Sequence, residues 1–262
     1  MRITKFFHLR MSIQALFLVC TFVSAPQAFT DINNVANVND IEELRQSAEA
    51  GDAAAQFELG RRYDLAKGVK EDDKEAIKWY QKAAEQGLAP AQFNLALMYR
   101  SGEGVEKDEE KAVDWFRKAA EQDDADAQFN LAFAYDFGEG VEEDDAKAFD
   151  WYQKAAEQGD ATAQFNLALM YEGEGVEKDE EKAVDWFRKA AEQDDADAQS
   201  VLAYKYAYGE GVEKDDAKAF YWYQKAAEQG DAAAQSSLAY RYAYGEGVEK
   251  DEEKAVDWFR KA

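Results

Sequence analysis

The chain has 262 residues, of which 55 are acidic and 31 basic, so its formal net charge at pH 7 is −24. A surface this acidic repels nucleic acid phosphates and anionic lipid headgroups, and we expect neither as a partner. A single cysteine and a single histidine exclude a disulfide framework and leave almost no material for thiol or imidazole chemistry.

Residues 1–28 have the layout of a secretory signal peptide. A basic start precedes an apolar run at 13–23, and small residues then allow cleavage after Ala25 or Ala28. The run is short of the roughly 20 residues that span a bilayer, although an uncleaved anchor remains the alternative. We therefore expect an exported protein, periplasmic or secreted, whose lack of disulfides suits a bacterial periplasm.

Removal of the signal peptide changes the composition of the mature chain. Cys20 and His8 both lie within it, as do Arg2, Lys5 and Arg10, so the formal net charge moves from −24 to −27. We expect no cofactor, no cysteine or histidine metal site and no membrane insertion. Cationic peptides, protein partners with cationic patches and divalent ions remain electrostatically permitted.

Residues 29–50 are predicted to form a leader and an N-terminal capping helix. From Ile41 onward the sequence aligns with the end of a later helix, but Glu43 stands where the later units carry tryptophan. A polar residue at that place is typical of a terminal cap.

From residue 51 the chain repeats itself. Tryptophans recur every 35 or 36 residues, at Trp79, Trp115, Trp151, Trp186, Trp222 and Trp258. A period of this size predicts tandem helix pairs that bury their apolar faces by stacking. The fold class is therefore all-α, a solenoid of six helix-turn-helix units of about 36 residues. The predicted units are 51–86, 87–122, 123–158, 159–193, 194–229 and 230–262.

The second unit shows the expected helix pair. Ala91, Leu95 and Tyr99 lie four residues apart on one helical face, and a Gly-Glu-Gly segment then breaks the helix. Asp108 stands at the N-cap position of a second helix predicted over 109–122. We expect the six tryptophans to pack in the core, with ligand stacking as the alternative.

The joints between units are predicted to adopt left-handed backbone geometry, which glycine tolerates best. Gly87, Gly159 and Gly230 occupy three joints, and Asp123 and Asp194 occupy two others.

The units are near copies, with one irregularity. Residues 102–128 and 173–199 are identical, which argues against a unique catalytic pocket and favours a uniform, multivalent surface. The fourth unit lacks one residue before Gly173, so we expect a shortened turn. The acidic clusters at 123–126, 142–145 and 194–197 do not fit a calcium-loop pattern, and solvated helix starts explain them better than a Ca²⁺ response does.

The last two units differ from the others in their first helices, where Tyr204 and Tyr208 share one face, as do Tyr240 and Tyr244. Tyrosine offers rigid contact area with a polar tip, which suits a binding surface. The alternative is packing between units, since Leu97 and Phe133 are the equivalents of Tyr204. The candidate partner-binding residues are Tyr204, Lys205, Tyr208, Tyr240, Arg241 and Tyr244.

The last unit ends at Ala262 inside a second helix, without a polar cap. Either Trp258 and Phe259 pack within their own unit, or another protein surface covers them; a truncated reading frame is the third possibility.

The third unit carries the complete repeat pattern. It reads AQFNLAFAY at 127–135, GEGV at 138–141 and AAEQG at 155–159, with Trp151 between the last two segments. This pattern resembles the Sel1-like repeat, a relative of the tetratricopeptide repeat. The resemblance implies an α/α right-handed superhelix and a protein-interaction scaffold, with no single chemistry.

Cysteine-rich secreted members of that family carry a disulfide in each repeat, and this chain has none. The alternative function implied by that subgroup, a cell-wall or β-lactam-related hydrolase or binder, is therefore disfavoured. We predict a non-enzymatic, exported scaffold that binds a protein or peptide.

Overall fold

The computed structural model describes residues 41–173 and 175–262. The predicted signal peptide and most of the predicted leader lie outside these ranges. Within them the chain forms thirteen α-helices and no strand. The helices are α1 (Ile41–Glu49), α2 (Ala53–Asp64), α3 (Asp73–Glu85), α4 (Ala89–Ser101), α5 (Glu109–Ala120), α6 (Ala125–Phe137), α7 (Asp145–Glu157), α8 (Ala161–Tyr171), α9 (Glu180–Glu192), α10 (Ala196–Tyr208), α11 (Asp216–Glu228), α12 (Ala232–Tyr244) and α13 (Glu252–Phe259).

Each helix packs against the helix before it and the helix after it. The helices α2 to α13 therefore form six stacked pairs, an α/α solenoid, and α1 packs on the first pair. Leu44 and Ala48 of α1 are buried in one cluster with Trp79, while Glu43 is exposed. The predicted all-α solenoid of six units is confirmed.

Aspartate residues cap the N-termini of most of these helices. In eleven of them the N-cap carboxylate accepts a hydrogen bond from a backbone N–H in the first turn, as Asp108 does from Lys111 at 3.0 Å. Each such cap stabilises its helix by about 1 kcal/mol. The other capping residues are Asp52, Asp72, Asp124, Asp144, Asp160, Asp179, Asp195, Asp215, Asp231 and Asp251.

The joints between units have the expected left-handed geometry. Gly87, Gly159 and Gly230 have φ values of 90°, 101° and 99°, and Asp123 and Asp194 have φ values of 62° and 65°. The chain thereby reverses direction within three or four residues and starts the next first helix antiparallel to the preceding second helix.

The core consists of small and medium aliphatic side chains in register. One leucine of each first helix is fully buried, namely Leu59, Leu95, Leu131, Leu167, Leu202 and Leu238. Alanines on both helices of each pair are buried beside these leucines, which lets the helix axes approach closely.

All six tryptophans pack in or against the core, as the sequence predicted. Only Trp79, under α1, is fully buried; the other five are half-buried. In the first five units the side chain that follows the tryptophan is more deeply buried or equally buried, because a helix turns by about 100° per residue and this side chain points inward. These buried neighbours are Tyr80, Phe116, Tyr152, Phe187 and Tyr223. In the last unit, by contrast, Phe259 is 54% exposed.

A ladder of glutamines connects successive units. Gln128 of α6 donates from Nε2 to the carbonyl oxygen of Ala120 at 3.1 Å, and its Oε1 accepts from Gln158 Nε2 at 2.9 Å. The same two bonds recur around Gln56, Gln92, Gln164 and Gln199. Buried amides need such partners, so the ladder fixes how one unit docks on the next.

Candidate partner-binding surface

Four tyrosines of α10 and α12 form an exposed aromatic patch, which we call the tyrosine surface: Tyr204, Tyr208, Tyr240 and Tyr244. Their exposed fractions are 44%, 66%, 49% and 67%. Within each helix the two rings touch, with centroids 4.5 Å apart in α10 and 4.3 Å apart in α12. Residues four apart share a helical face, as the sequence predicted. The rings are displayed to solvent and are not packed between units.

An earlier unit carries a related pair in the same place. Phe133 and Phe137 of α6 have ring centroids 4.5 Å apart and are half-buried. At the equivalent sites α4 has Leu97 and Ser101, and α8 ends before the second of these sites. Exposed aromatic pairs with hydroxyl tips are therefore confined to units five and six among the described residues.

Lys205 lies beneath the tyrosine surface rather than on it. The residue is only 3% exposed and occupies the position at which α4 and α8 bury Met98 and Met170. Its Nζ lies 2.7 Å from Glu172 Oε1 of the preceding unit and 3.6 Å from Glu210 Oε2. The ammonium group is thus compensated within the protein and links units four and five.

Glu172, the partner of Lys205, lies at the start of the short fourth turn. Helix α8 stops at Tyr171, two residues earlier than its counterparts in units two and three, and Glu172 is its C-cap residue. The short turn of unit four thus begins with the residue that pairs with Lys205 of unit five.

Arg241 is the equivalent of Lys205 in α12 and is 5% exposed. Its Nη1 lies 3.4 Å from Asp216 Oδ1 of α11, and its guanidinium group lies 5.3 Å from the centroid of the Tyr223 ring. Both predicted basic binding residues are therefore buried links between units and are not accessible from solvent.

The border of the tyrosine surface is acidic. Tyr204 Oη donates to Glu210 Oε1 at 3.4 Å, and partial burial together with the Glu210 charge raises the pKa of Tyr204 above its ordinary value of 10.0. The hydroxyl therefore stays protonated at neutral pH and keeps its capacity to donate a hydrogen bond. Glu210 is itself 45% exposed, and the nearby exposed lysines Lys214 and Lys250 are paired with Asp216 and Glu252.

Tyr221 is a third exposed aromatic residue of unit five, and the sequence analysis missed it. It is 51% exposed, and its ring meets the Trp222 ring edge-on with centroids 4.9 Å apart. The signal that could have found it is internal: α11 and α7 have the same sequence except that Tyr221 replaces Asp150.

The described residues hold no cluster of three or more histidine, cysteine, aspartate or glutamate side chains arranged to bind a metal ion. None of the described helices is long and apolar enough to cross a membrane.

Comparison with known proteins matches the chain to repeats of one family. The Sel1 repeat model matches six segments: 53–88, 89–124, 125–160, 161–195, 196–231 and 232–262. A comparison with curated proteins gave no match.

Two solved structures resemble the protein over most of its length. The antigen c5321 of uropathogenic Escherichia coli, described as protective and as having an SLR fold, is 36% identical with a TM-score of 0.74. That match covers 85% of this chain but only 56% of c5321, so the chain spans little more than half of that protein. A Sel1 repeat protein from Oxalobacter formigenes is 40% identical with a TM-score of 0.70, and the match covers 84% of this chain and 98% of that one.

Proposed function

Because the chain belongs to the Sel1 repeat family, we propose that this repeat scaffold acts without catalysis and binds a protein or peptide partner through the tyrosine surface. The observation that carries the proposal is the exposure of four tyrosines, 44–67% each, on units whose remaining positions follow a common pattern. Large aromatic side chains left in solvent cost free energy in a monomer and are favoured where a partner covers them.

The chemistry of the surface favours a partner with cationic patches. Tyrosine rings bind flat apolar groups and basic side chains, and their hydroxyls donate hydrogen bonds. Glu210 borders Tyr204, and the chain as a whole carries a formal net charge of −24. An acidic border accelerates encounter with a basic partner and repels an acidic one.

We further propose that the protein is exported and works in the periplasm or outside the cell. The basic start, apolar run and small residues of segment 1–28 support this location. Cell fractionation followed by N-terminal sequencing tests it, with a mature chain starting after Ala25 or Ala28 as the expected result. Retention in the cytoplasm with residues 1–28 intact would contradict it.

The binding proposal is tested with a variant built from the protein's own sequence. Replacing Tyr204 and Tyr240 by leucine, and Tyr208 and Tyr244 by serine, copies the residues of α4 at the same positions. We expect the variant to keep its melting temperature, since these side chains are exposed, and to lose the proteins that wild type enriches from a periplasmic extract. Equal enrichment by a folded variant would refute the tyrosine surface as the binding site.

A further inference from the structure

Lysines cover the tryptophan ring in most units. In five units the lysine three residues after the tryptophan places its ammonium group over the indole ring, at 3.5 to 3.9 Å from the ring centroid. These pairs are Lys82–Trp79, Lys118–Trp115, Lys154–Trp151, Lys189–Trp186 and Lys261–Trp258. The outer face of this indole is therefore a place where the fold seats a cation.

Unit five departs from that arrangement. Lys225 lies 5.7 Å from the Trp222 centroid and instead pairs with Asp194 Oδ1 at 3.0 Å. Tyr221 lies against the edge of the Trp222 ring with half of its surface in solvent. The result is an aromatic pair that its own lysine does not cover at close range.

Unit three is an internal control for the cause of this difference. It has the same joint residue, Asp123, and the same lysine at the same spacing, yet Lys154 stays 3.7 Å from the Trp151 ring. Helices α7 and α11 differ only at Asp150 and Tyr221. The tyrosine is therefore the feature of α11 that accompanies the displaced lysine.

We propose that Tyr221 and Trp222 form a second binding site that accepts a lysine or arginine side chain from a basic segment of a partner. In each of the other units the indole ring binds an ammonium group of the same chain. The Trp222 ring offers the equivalent binding position to an ammonium or guanidinium group of a partner. The Lys225 charge is already compensated by Asp194, and Glu228 lies close enough to act on Lys225 electrostatically.

This site is separate from the tyrosine surface, and its occupant follows from charge. Tyr223, one residue beyond Trp222, points into the core toward α10, so Tyr221 projects from the other side of α11. A chain with a formal net charge of −24 attracts basic segments from a distance, and the aromatic pair gives them a specific contact. Residues at both surfaces could then engage one extended basic partner.

The test follows the six indole N–H signals by NMR while an acetylated eight-residue peptide of alternating glycine and lysine is titrated in. Trp222→Phe assigns its signal. We expect the Trp222 signal to shift saturably and more than the other five. Tyr221→Asp, which makes α11 identical to α7, should weaken that response roughly three- to fivefold. The same substitution adds a negative charge, so electrostatic attraction alone predicts tighter binding.

The reciprocal variant Asp150→Tyr gives unit three the aromatic pair, and we expect the Trp151 signal to acquire the response. A Trp222 shift no larger than the others, or one unchanged by Tyr221→Asp, overturns the proposal. A response to the N-acetylglucosamine trisaccharide in place of the peptide overturns the assigned ligand class. The four-tyrosine variant should respond as wild type does, so this test is independent of the tyrosine surface.

Discussion

Units three and five are the most instructive comparison in the molecule. Their second helices differ at one residue, whereas their first helices, α6 and α10, differ at six of thirteen positions. The shared positions of α6 and α10 include the buried leucine, the glutamine of the ladder and the buried tyrosine that follows. Of the six variable positions in α10, Tyr204 and Tyr208 are exposed, whereas Lys205 and Ala207 are buried. The constant residues thus hold the stack, and the variable ones change both its exposed surface and part of its packing.

Substitutions in the aromatic core are expected to have the largest effect on the free energy of unfolding. In unit three Tyr152 is fully buried and packs on Phe129 with ring centroids 5.8 Å apart, whereas in unit five Ser200 replaces the phenylalanine. We expect Tyr152→Ala to lower the free energy of unfolding by about 3–5 kcal/mol. Tyr223→Ala should cost less, because fewer side-chain contacts are lost. Urea titrations of both variants check the order, and equal losses would contradict it.

Breaking the ion pair of the buried Lys205 in unit five is expected to have the next largest effect on stability. Lys205 stands where unit three has Ala134, and removing its partner by Glu172→Gln leaves the ammonium group with Glu210 at 3.6 Å. We expect a loss of about 2 kcal/mol, since an uncompensated buried charge is costly. Lys205→Met, which copies the residue at positions 98 and 170, should change stability by less than about 1 kcal/mol. If Glu172→Gln leaves the free energy of unfolding unchanged, the ion pair does not stabilise the protein.

The glutamine ladder should behave alike in the two units. Gln128→Leu and Gln199→Leu each remove two hydrogen bonds, the one donated to the preceding unit's alanine carbonyl and the one accepted from the next unit's glutamine. We expect each to lower the free energy of unfolding by about 1–2 kcal/mol. Thermal and urea unfolding of the pair measure this. A large difference between the two variants would contradict a uniform contribution of the ladder along the stack.

The smallest expected effect on stability comes from titration of the N-cap carboxylates. The pKa of Asp144 and of Asp215 is lowered by hydrogen bonds from Lys147 and Lys218, so their stabilisation is present above the unfolded pKa and is lost as pH falls through the folded one. Burial raises the pKa of Asp124 and Asp195, so these two favour folding at low pH and lose that contribution as pH rises. Carboxyl ¹³C titrations by NMR should give pKa values below 3.8 for Asp144 and Asp215 and above 3.8 for Asp124 and Asp195. Matching directions would contradict the assigned causes.

Sequence reasoning reached the fold because its signals are local and repeated. The tryptophan spacing, the glycine and aspartate joints and the capping aspartate Asp108 each depend on residues within one unit. The same reasoning placed the tryptophans against the core but did not show that five of them are only half-buried, since periodicity marks a position without telling which neighbour points furthest inward.

The candidate site was predicted only in part. The tyrosines were identified and lie on the surface, but Lys205 and Arg241 were expected to be accessible because their type favours solvent. Their burial depends on acids of neighbouring helices and turns, such as Asp216 for Arg241 and Glu172 for Lys205, which lies 33 positions away in the sequence. Contacts across units of this kind are not visible in hydropathy or spacing.

The central claim is that recognition resides in units five and six, on a stack that the other units share. A photo-crosslinking amino acid placed at position 208, or at the matched position 137 of unit three, tests it in intact cells. The account predicts a discrete crosslinked species from position 208 that is absent or much weaker from position 137. Equal crosslinking from both positions, or crosslinking from 137 alone, would contradict it.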